Sequence, residues 1–361
     1  MTLSRKKGMK NMKKKITALL LAVLTVLAVL SGCNAAGNGT NGTKGTTDTT
    51  PTPSGSSGEG TTAAPGTDAP DDYVLKVATL KGPTGMGMAK MINDDKDAKK
   101  YNFTISSDPT DVTAALVSES LDIAAVPVNL AAVINKKTNG AYLVAAINTL
   151  GVLYIVENGN TVNSVADLAG KTVYATGKAS TPEYILNYIL SKNGLENVTV
   201  EYKTEHSELA ALMVSGEVVL GMLPEPNVTT VLTKNSSLRI ALNLTEEWKK
   251  VSEGESVQGC VVVSKKAIGE HGALVNAFLD EYKASVDFVN SNVADAAAMI
   301  AELGIVPAAA IAEKAVPNCN IVYIDSDRMV SVLNVFYKVL FDADPKSVGG
   351  TLPDESIFYR R

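Results

Sequence analysis

Strand and helix patterns alternate along residues 73–361, which predicts an α/β fold built on parallel sheets with both faces covered. A weak internal echo predicts that this plan is used twice. Ala114-Ala115-Leu116-Val117-Ser118-Glu119 leads through Leu121 to Pro127 and then Asn129, and about 97 residues later Ala210-Ala211-Leu212-Met213-Val214-Ser215 leads through Val218 to Pro224 and then Asn227. In both copies a helix with an Ala-Ala-Leu face feeds a short apolar strand that stops at a proline, and an Asn follows as a cap for the next helix. The segment also exceeds the usual single-core domain, and two lobes of related design account for its length.

The elements follow from local pattern. Residues 74–80 read as a strand, 84–92 as a helix, 101–106 as a strand and 109–118 as a helix. A short buried strand at 122–126 precedes a helix that starts near Asn129. After the hydrophobic stretch 142–156, strands at 171–175 and 198–203 flank a helix at 181–192. Leu274, Phe278, Val286 and Val289 form an apolar stripe over 273–290, and alanine-rich helices follow at 296–300 and 308–315, with another helix at 329–341.

The amino-terminal segment sets where this body works. Seven basic residues (Arg5, Lys6, Lys7, Lys10, Lys13, Lys14 and Lys15) precede an apolar run at 16–30, which is too short to be a comfortable membrane span. The run ends in Leu30-Ser31-Gly32-Cys33. This ending resembles the lipobox of bacterial lipoprotein signal peptides, which implies cleavage before Cys33 and a diacylglycerol on its thiol. Together with an amide-linked acyl chain, such a modification gives stable anchoring. Residues 1–32 are thus expected to be a signal peptide, and the mature chain to sit on the extracytoplasmic face of the cell membrane, held by its lipid anchor only. Residues 34–72 are Gly, Thr, Ser, Pro and Asn with hardly an apolar side chain, so they cannot offset the entropy of ordering. With the lipidated cysteine they form a tether, residues 33–72, whose root-mean-square reach is roughly 35 Å.

Charge and composition exclude several classes. Past the leader, 26 basic side chains face 38 acidic ones, a balance that disfavours nucleic acid or anionic lipid as a partner. Cys260 and Cys319 are too few for a disulfide framework and are read as two buried thiols, with a single bridge as the alternative. His206 and His271 are the only histidines, and neither has a second ligand at metal spacing. That argues against a metal site and against a histidine-based triad. No phosphate-binding loop occurs, and no cofactor is expected.

Two motifs carry a family resemblance. The stretch 210–226, with Ser215-Gly216-Glu217 leading into Leu220-Gly221-Met222-Leu223-Pro224-Glu225-Pro226, and Asp167-Leu168-Ala169-Gly170-Lys171-Thr172-Val173 resemble signatures of the type II periplasmic binding proteins. Gly82-Pro83-Thr84-Gly85-Met86-Gly87 also resembles that group. The likeness is nearest to solute-binding proteins of ABC transporters for nitrate, sulfonate, taurine and thiamine precursors, and it covers residues 73 to about 323. It implies two Rossmann-like lobes joined by two crossing segments, near 149–157 and 258–264. Lobe one is then 73–153 with 262–361, and lobe two is 154–261. The partners implied are a small-molecule solute and the permease and ATPase subunits of the transporter, with the binding protein itself monomeric.

Candidate site residues come from strand ends, because ligands of open parallel sheets sit beyond the carboxyl ends of the strands, where helix N-termini point free N–H groups. After the first strand, Thr84, Gly85 and Met86 lie in a glycine-rich turn that admits close backbone approach, and Thr84 is placed to cap the helix. Pro127 with Asn129, and Glu225 with Asn227, mark the paired strand-to-helix turns. Lys178, Ser180 and Thr181, ahead of Pro182, make an anion socket. Thr149 and Gln258, on the expected crossings, face a ligand from the hinge side. Lys178 favours an anion and Glu225 an amine or a ring N–H donor, which leaves the ligand's charge open. The expected activity is capture by cleft closure, without catalysis. The alternatives are a surface sensor or an enzyme of the same fold, such as a pyrimidine synthase or a menaquinone-pathway dehydratase. The export signal and the lack of a cysteine-rich or histidine-bearing active-site motif count against the enzymes.

Overall fold

The computed structural model describes residues 72–361; the leader, Cys33 and the tether lie outside the described residues. In chain order the strands are β1 (Leu75–Leu80), β2 (Tyr101–Ser106), β3 (Ile123–Pro127), β4 (Tyr142–Leu150), β5 (Leu153–Asn158), β6 (Thr172–Ala175), β7 (Thr199–Tyr202), β8 (Leu220–Pro224), β9 (Leu238–Asn243), β10 (Val257–Ser264) and β11 (Ile321–Ile324). They form a six-stranded sheet, β11-β4-β10-β3-β1-β2, and a five-stranded sheet, β7-β6-β8-β5-β9. Helices lie between successive strands, so the fold is α/β with two lobes, each built around one sheet.

The sheets are mixed rather than wholly parallel. β1 pairs in parallel with β2 and β3, and β6 with β7 and β8. By contrast β10 runs antiparallel to β3 and β4, and β5 runs antiparallel to β8 and β9. The reversal has a simple cause: β5 and β10 are the first strands the chain makes after crossing from the other sheet, and each enters from the edge where its neighbours end. The echo in the sequence maps onto equivalent places. β3 lies between β1 and β10, and β8 lies between β6 and β5, each with one parallel and one reversed neighbour.

Both crossings are visible as chain paths. The first is the two-residue link Gly151-Val152 between β4 and β5. The second runs from β9 through the helix Leu244–Val251 and residues 252–256 to β10, so it lies upstream of the 258–264 stretch expected from sequence. β10 belongs wholly to the six-stranded sheet. The expected helix at 84–92 is two helices, Pro83–Met86 and Ala89–Ala98. The break falls at Gly87, where an added Cβ would lie 3.1 Å from Ile321 Cγ2 and 3.2 Å from the Tyr282 hydroxyl. Glycine lets the chain turn hard against the long helix Gly272–Ser291, and Ser285 of that helix donates to the Gly87 carbonyl at 2.7 Å.

Three buried apolar clusters organise the body. One is confined to the six-stranded sheet and the helices packed on one of its faces, among them Ala89–Ala98, Gly272–Ser291 and Val293–Glu302. A second is confined to the five-stranded sheet, with Leu209, Met213, Val228 and Val231 from the helices His206–Ser215 and Asn227–Lys234. The third contains residues of both sheets: Val126, Val144 and Val262 on one side, Ile155, Val173 and Met222 on the other. Helices from both lobes meet there. Thr181–Lys192 contributes Ile185, Leu186 and Ile189, and Ser326–Ala343 contributes Met329, Leu333 and Phe336. At its centre Trp248 is wholly buried, with ring centroids 4.9 Å from Tyr188 and 5.4 Å from Phe336, and its Nε1 donates to the Gly254 carbonyl at 2.8 Å.

Trp248→Ala is expected to destabilise the folded state by about 3–5 kcal/mol, because it removes the largest buried ring from the shared core and orphans the Gly254 carbonyl. Equilibrium denaturant unfolding of the variant against the parent chain measures this loss.

Candidate functional site

The two sheets present matching edges. On the six-stranded sheet, the carboxyl ends of β1, β3 and β4 lie at the same edge as the start of β10, since Pro127 and Thr149 both pair with Gly259. On the five-stranded sheet, the ends of β8 and β9 flank the start of β5, with Pro224 opposite Leu153 and Asn243 opposite Tyr154. The short first crossing ties these two edges together, and the Glu225 N–H donates to the Val152 carbonyl within it at 3.0 Å. Every strand-end turn singled out in the sequence therefore belongs to one of two edges joined at Gly151-Val152.

Asn129 is the clearest link between the lobes. It sits in the first turn of the helix Val128–Lys137, only 1% exposed, and it does not cap that helix. Its Oδ1 accepts from Thr181 Oγ1 at 2.9 Å, and its Nδ2 points to the carbonyls of Ala179 and Ser347, each at 3.4 Å. Thr181, wholly buried, opens the helix Thr181–Lys192 on the opposite lobe. A residue that follows a strand-ending proline reads locally as a cap. Here a partner 52 positions away claims its side chain.

The rest of the socket is arranged differently from its local reading. Ser180 makes no side-chain cap bond. The Ala179 N–H donates to the Glu183 carboxylate, so the protein's own acid takes one of the free donors. Lys178 is exposed, with its Nζ 5.9 Å from the centre of the Tyr202 ring. Thr84 does not cap its helix either; its hydroxyl donates back to the Leu80 carbonyl at 3.3 Å. Gly85 folds onto that same carbonyl so closely that a Cβ would overlap it, and Met86 is wholly buried. Asn227 opens the helix Asn227–Lys234 without a side-chain cap bond.

Glu225 is 2% exposed, and its carboxylate accepts from the Thr229 N–H at 3.1 Å and the Thr229 hydroxyl at 3.0 Å. Burial raises its pKa above the ordinary carboxylate value, and the two bonds from Thr229 pull it partly back. Burial, and then the charge of Glu225, raises the Tyr154 phenol and the Cys319 thiol. Cys319 precedes β11, so the acid of one lobe acts on a group carried by the other.

Near the middle of the six-stranded edge is a polar group that sequence reading missed. Thr149 donates to Asn148 Oδ1 at 3.1 Å, while Asn148 Nδ2, wholly buried, has no partner. The buried Tyr282 hydroxyl, Thr79 Oγ1 and Gln258 Nε2 lack partners as well. Gly259 makes room for this arrangement: a Cβ there would lie 2.6 Å from Asn148 Oδ1 and 2.8 Å from the Thr84 methyl. The available signal was Asn148-Thr149 at the end of the apolar run 142–147, a polar pair where a buried strand has no packing use for one. A separate cavity of about 860 Å³ lies beside the crossings, lined by Tyr154, Asn243, Thr245, Ser256 and Asn320 among others, and none of the strand-end residues above lines it.

Two sheets joined by two crossings, with strand ends turned toward one another, define the architecture of a periplasmic binding protein. A family model described as "ABC transporter, phosphonate, periplasmic substrate-binding protein" matches residues 97–314, and the chain belongs to that family. Solved structures agree. An ABC transporter structure from Parabacteroides distasonis is 25% identical with a TM-score of 0.67, covering 80% of this chain and 100% of that one. The periplasmic aliphatic sulphonate binding protein SsuA of Escherichia coli is 15% identical with a TM-score of 0.66, covering 80% and 93%. The alkanesulfonate-binding protein SsuA of Xanthomonas axonopodis, solved with MOPS, is 17% identical with a TM-score of 0.61, covering 79% and 96%. No curated protein matches the chain in sequence.

His206, which opens the helix after β7, shares a hydrogen bond between its Nδ1 and the hydroxyl of Thr176, just past the end of β6. Burial lowers its pKa from 6.5 to about 4. Between these values the unfolded chain binds a proton that the folded chain refuses, so stability is full above pH 6.5 and declines as pH falls toward 4. Thermal melts across that window should show the decline, and His206→Gln should flatten it; an unchanged slope in the variant assigns the decline to other groups.

Proposed function

We propose that this chain is the extracytoplasmic solute-binding component of an ABC importer. It captures a small organic or anionic solute, of the phosphonate, sulfonate, nitrate or thiamine-precursor kind, between its two lobes and delivers it to the permease. A diacylglycerol on Cys33 moors it, and residues 34–72 give the body reach. ATP is hydrolysed by a partner subunit. Membership of the periplasmic substrate-binding family supports the transport role, and the names of the sulfonate-binding neighbours support the solute class.

One observation carries the capture reading. Asn148 Nδ2, Gln258 Nε2 and the Tyr282 hydroxyl are buried without partners, on elements that reach the crevice edge of the six-stranded sheet. Each unmade bond of this kind costs about 1–3 kcal/mol. An oxygen-rich solute offers the acceptors that recover it. Closure then follows from differential affinity, because only the closed form gives the solute partners from both lobes.

The test is a thermal-shift and calorimetry panel of alkylphosphonates, alkanesulfonates, nitrate and pyrimidines. A true ligand at a hundredfold excess over its Kd should stabilise the fold by about 2.7 kcal/mol. Gln258→Leu should weaken that ligand roughly tenfold, by removing one neutral hydrogen bond. A panel with no binder sinks the capture reading. A binder indifferent to Gln258→Leu removes that side chain from the site.

A further inference from the structure

The two sides of the crevice are built unequally. On one side the lobes share a single buried core, in which Val126, Val144 and Val262 of the six-stranded sheet join Ile155, Val173 and Met222 of the five-stranded sheet. The C-terminal helix Ser326–Ala343 closes this side. Its Phe336 meets Trp248 of the second crossing, which in turn meets Tyr188 of the helix Thr181–Lys192. Polar bonds reinforce it, with Thr181 donating to Asn129 and Asn129 reaching Ala179 and Ser347.

The other side has no such core. The cluster over the opposite face of the six-stranded sheet and the cluster of the helices His206–Ser215 and Asn227–Lys234 stay separate. Contact there is made by the short helix Ala309–Ala315 against Asn227–Lys234. Among the described residues, no hydrogen bond or ion pair joins those two helices.

Building on the capture reading above, we infer that the C-terminal helix is a strap that keeps one side of the crevice permanently closed, so that the lobes part, and solute enters, only on the side of helices Ala309–Ala315 and Asn227–Lys234. Separating the strapped side exposes a large apolar core around Trp248, at a cost that grows with every buried side chain uncovered. Parting the other side uncovers little. A hinge therefore bends toward the cheap side, and its axis lies along the strap.

Spin-label distance measurement on the full chain tests this without knowing the ligand. One labelled pair, Asn187→Cys with Asn334→Cys, reports on exposed positions across the strapped side; the other, Thr233→Cys with Glu313→Cys, reports across the free side. Cys260 and Cys319 are wholly buried and spared from labelling. The expected result is a single narrow distance for the first pair and a distribution about twofold broader, or with a second longer population, for the second. Equal broadening of both pairs, or broadening of the strapped pair alone, overturns the strap. Two equally narrow distributions overturn both the strap and the closure mechanism, because lobes that never part admit nothing.

Discussion

The structure depends on how the chain crosses between sheets. A strand that arrives from the neighbouring sheet enters at the edge where the resident parallel strands end, so it must run against them. β5 and β10 do this. Their reversal brings the carboxyl ends of β1 and β3 and those of β6 and β8 to the same narrow gap. The helices that follow, Pro83–Met86, Val128–Lys137, Thr181–Lys192 and Asn227–Lys234, start there. A crevice lined by helix N-termini is the consequence, and it needs no dedicated loop architecture.

Which groups fill the gap is then a question of cost. Lys178 keeps its charge in solvent over the Tyr202 ring, and a neighbouring acid, Glu183, takes a nearby loop N–H. Glu225 is the ionisable group that goes in deep, and its two bonds from Thr229 only partly compensate for burial. The remaining interior polar groups are amides and hydroxyls, which discriminate by hydrogen-bond geometry more than by net charge. This suits a binding protein that must also release its cargo, since fully desolvated ion pairs are slow to part.

Much of the plan was legible in the sequence. The Ala-Ala-Leu helix, apolar strand and terminal proline recur because β3 and β8 hold equivalent places, each with parallel and reversed neighbours that demand the same small, apolar strand. Local pattern failed where a tertiary partner overrode a local rule. Asn129 and Thr84 both sit where a cap is favoured, yet Asn129 bonds across to Thr181 and Thr84 turns back to Leu80. The helix Leu244–Val251 was missed because it is short and highly charged, with Trp248 as its main apolar anchor. That ring gains its meaning only from Phe336, 88 positions later. The reversed strands were unreadable for a related reason: alternation shows that a segment is a strand, whereas direction is set by its neighbours.

Unequal sides have a thermodynamic logic for a capture device. A solute shifts an equilibrium only by its differential affinity for the two forms, and moving it from mostly open to mostly closed takes about 5.5 kcal/mol. If closing buried apolar core on both sides, that burial would far exceed what a few hydrogen bonds supply, and the lobes would stay shut whether or not solute was present. Placing the shared core around Trp248, Tyr188 and Phe336 on one side removes that surface from the equilibrium. What remains to be closed is the light contact between Ala309–Ala315 and Asn227–Lys234. On that side, the polar groups left without partners at Asn148, Gln258 and Tyr282 are of the right magnitude to let the solute decide.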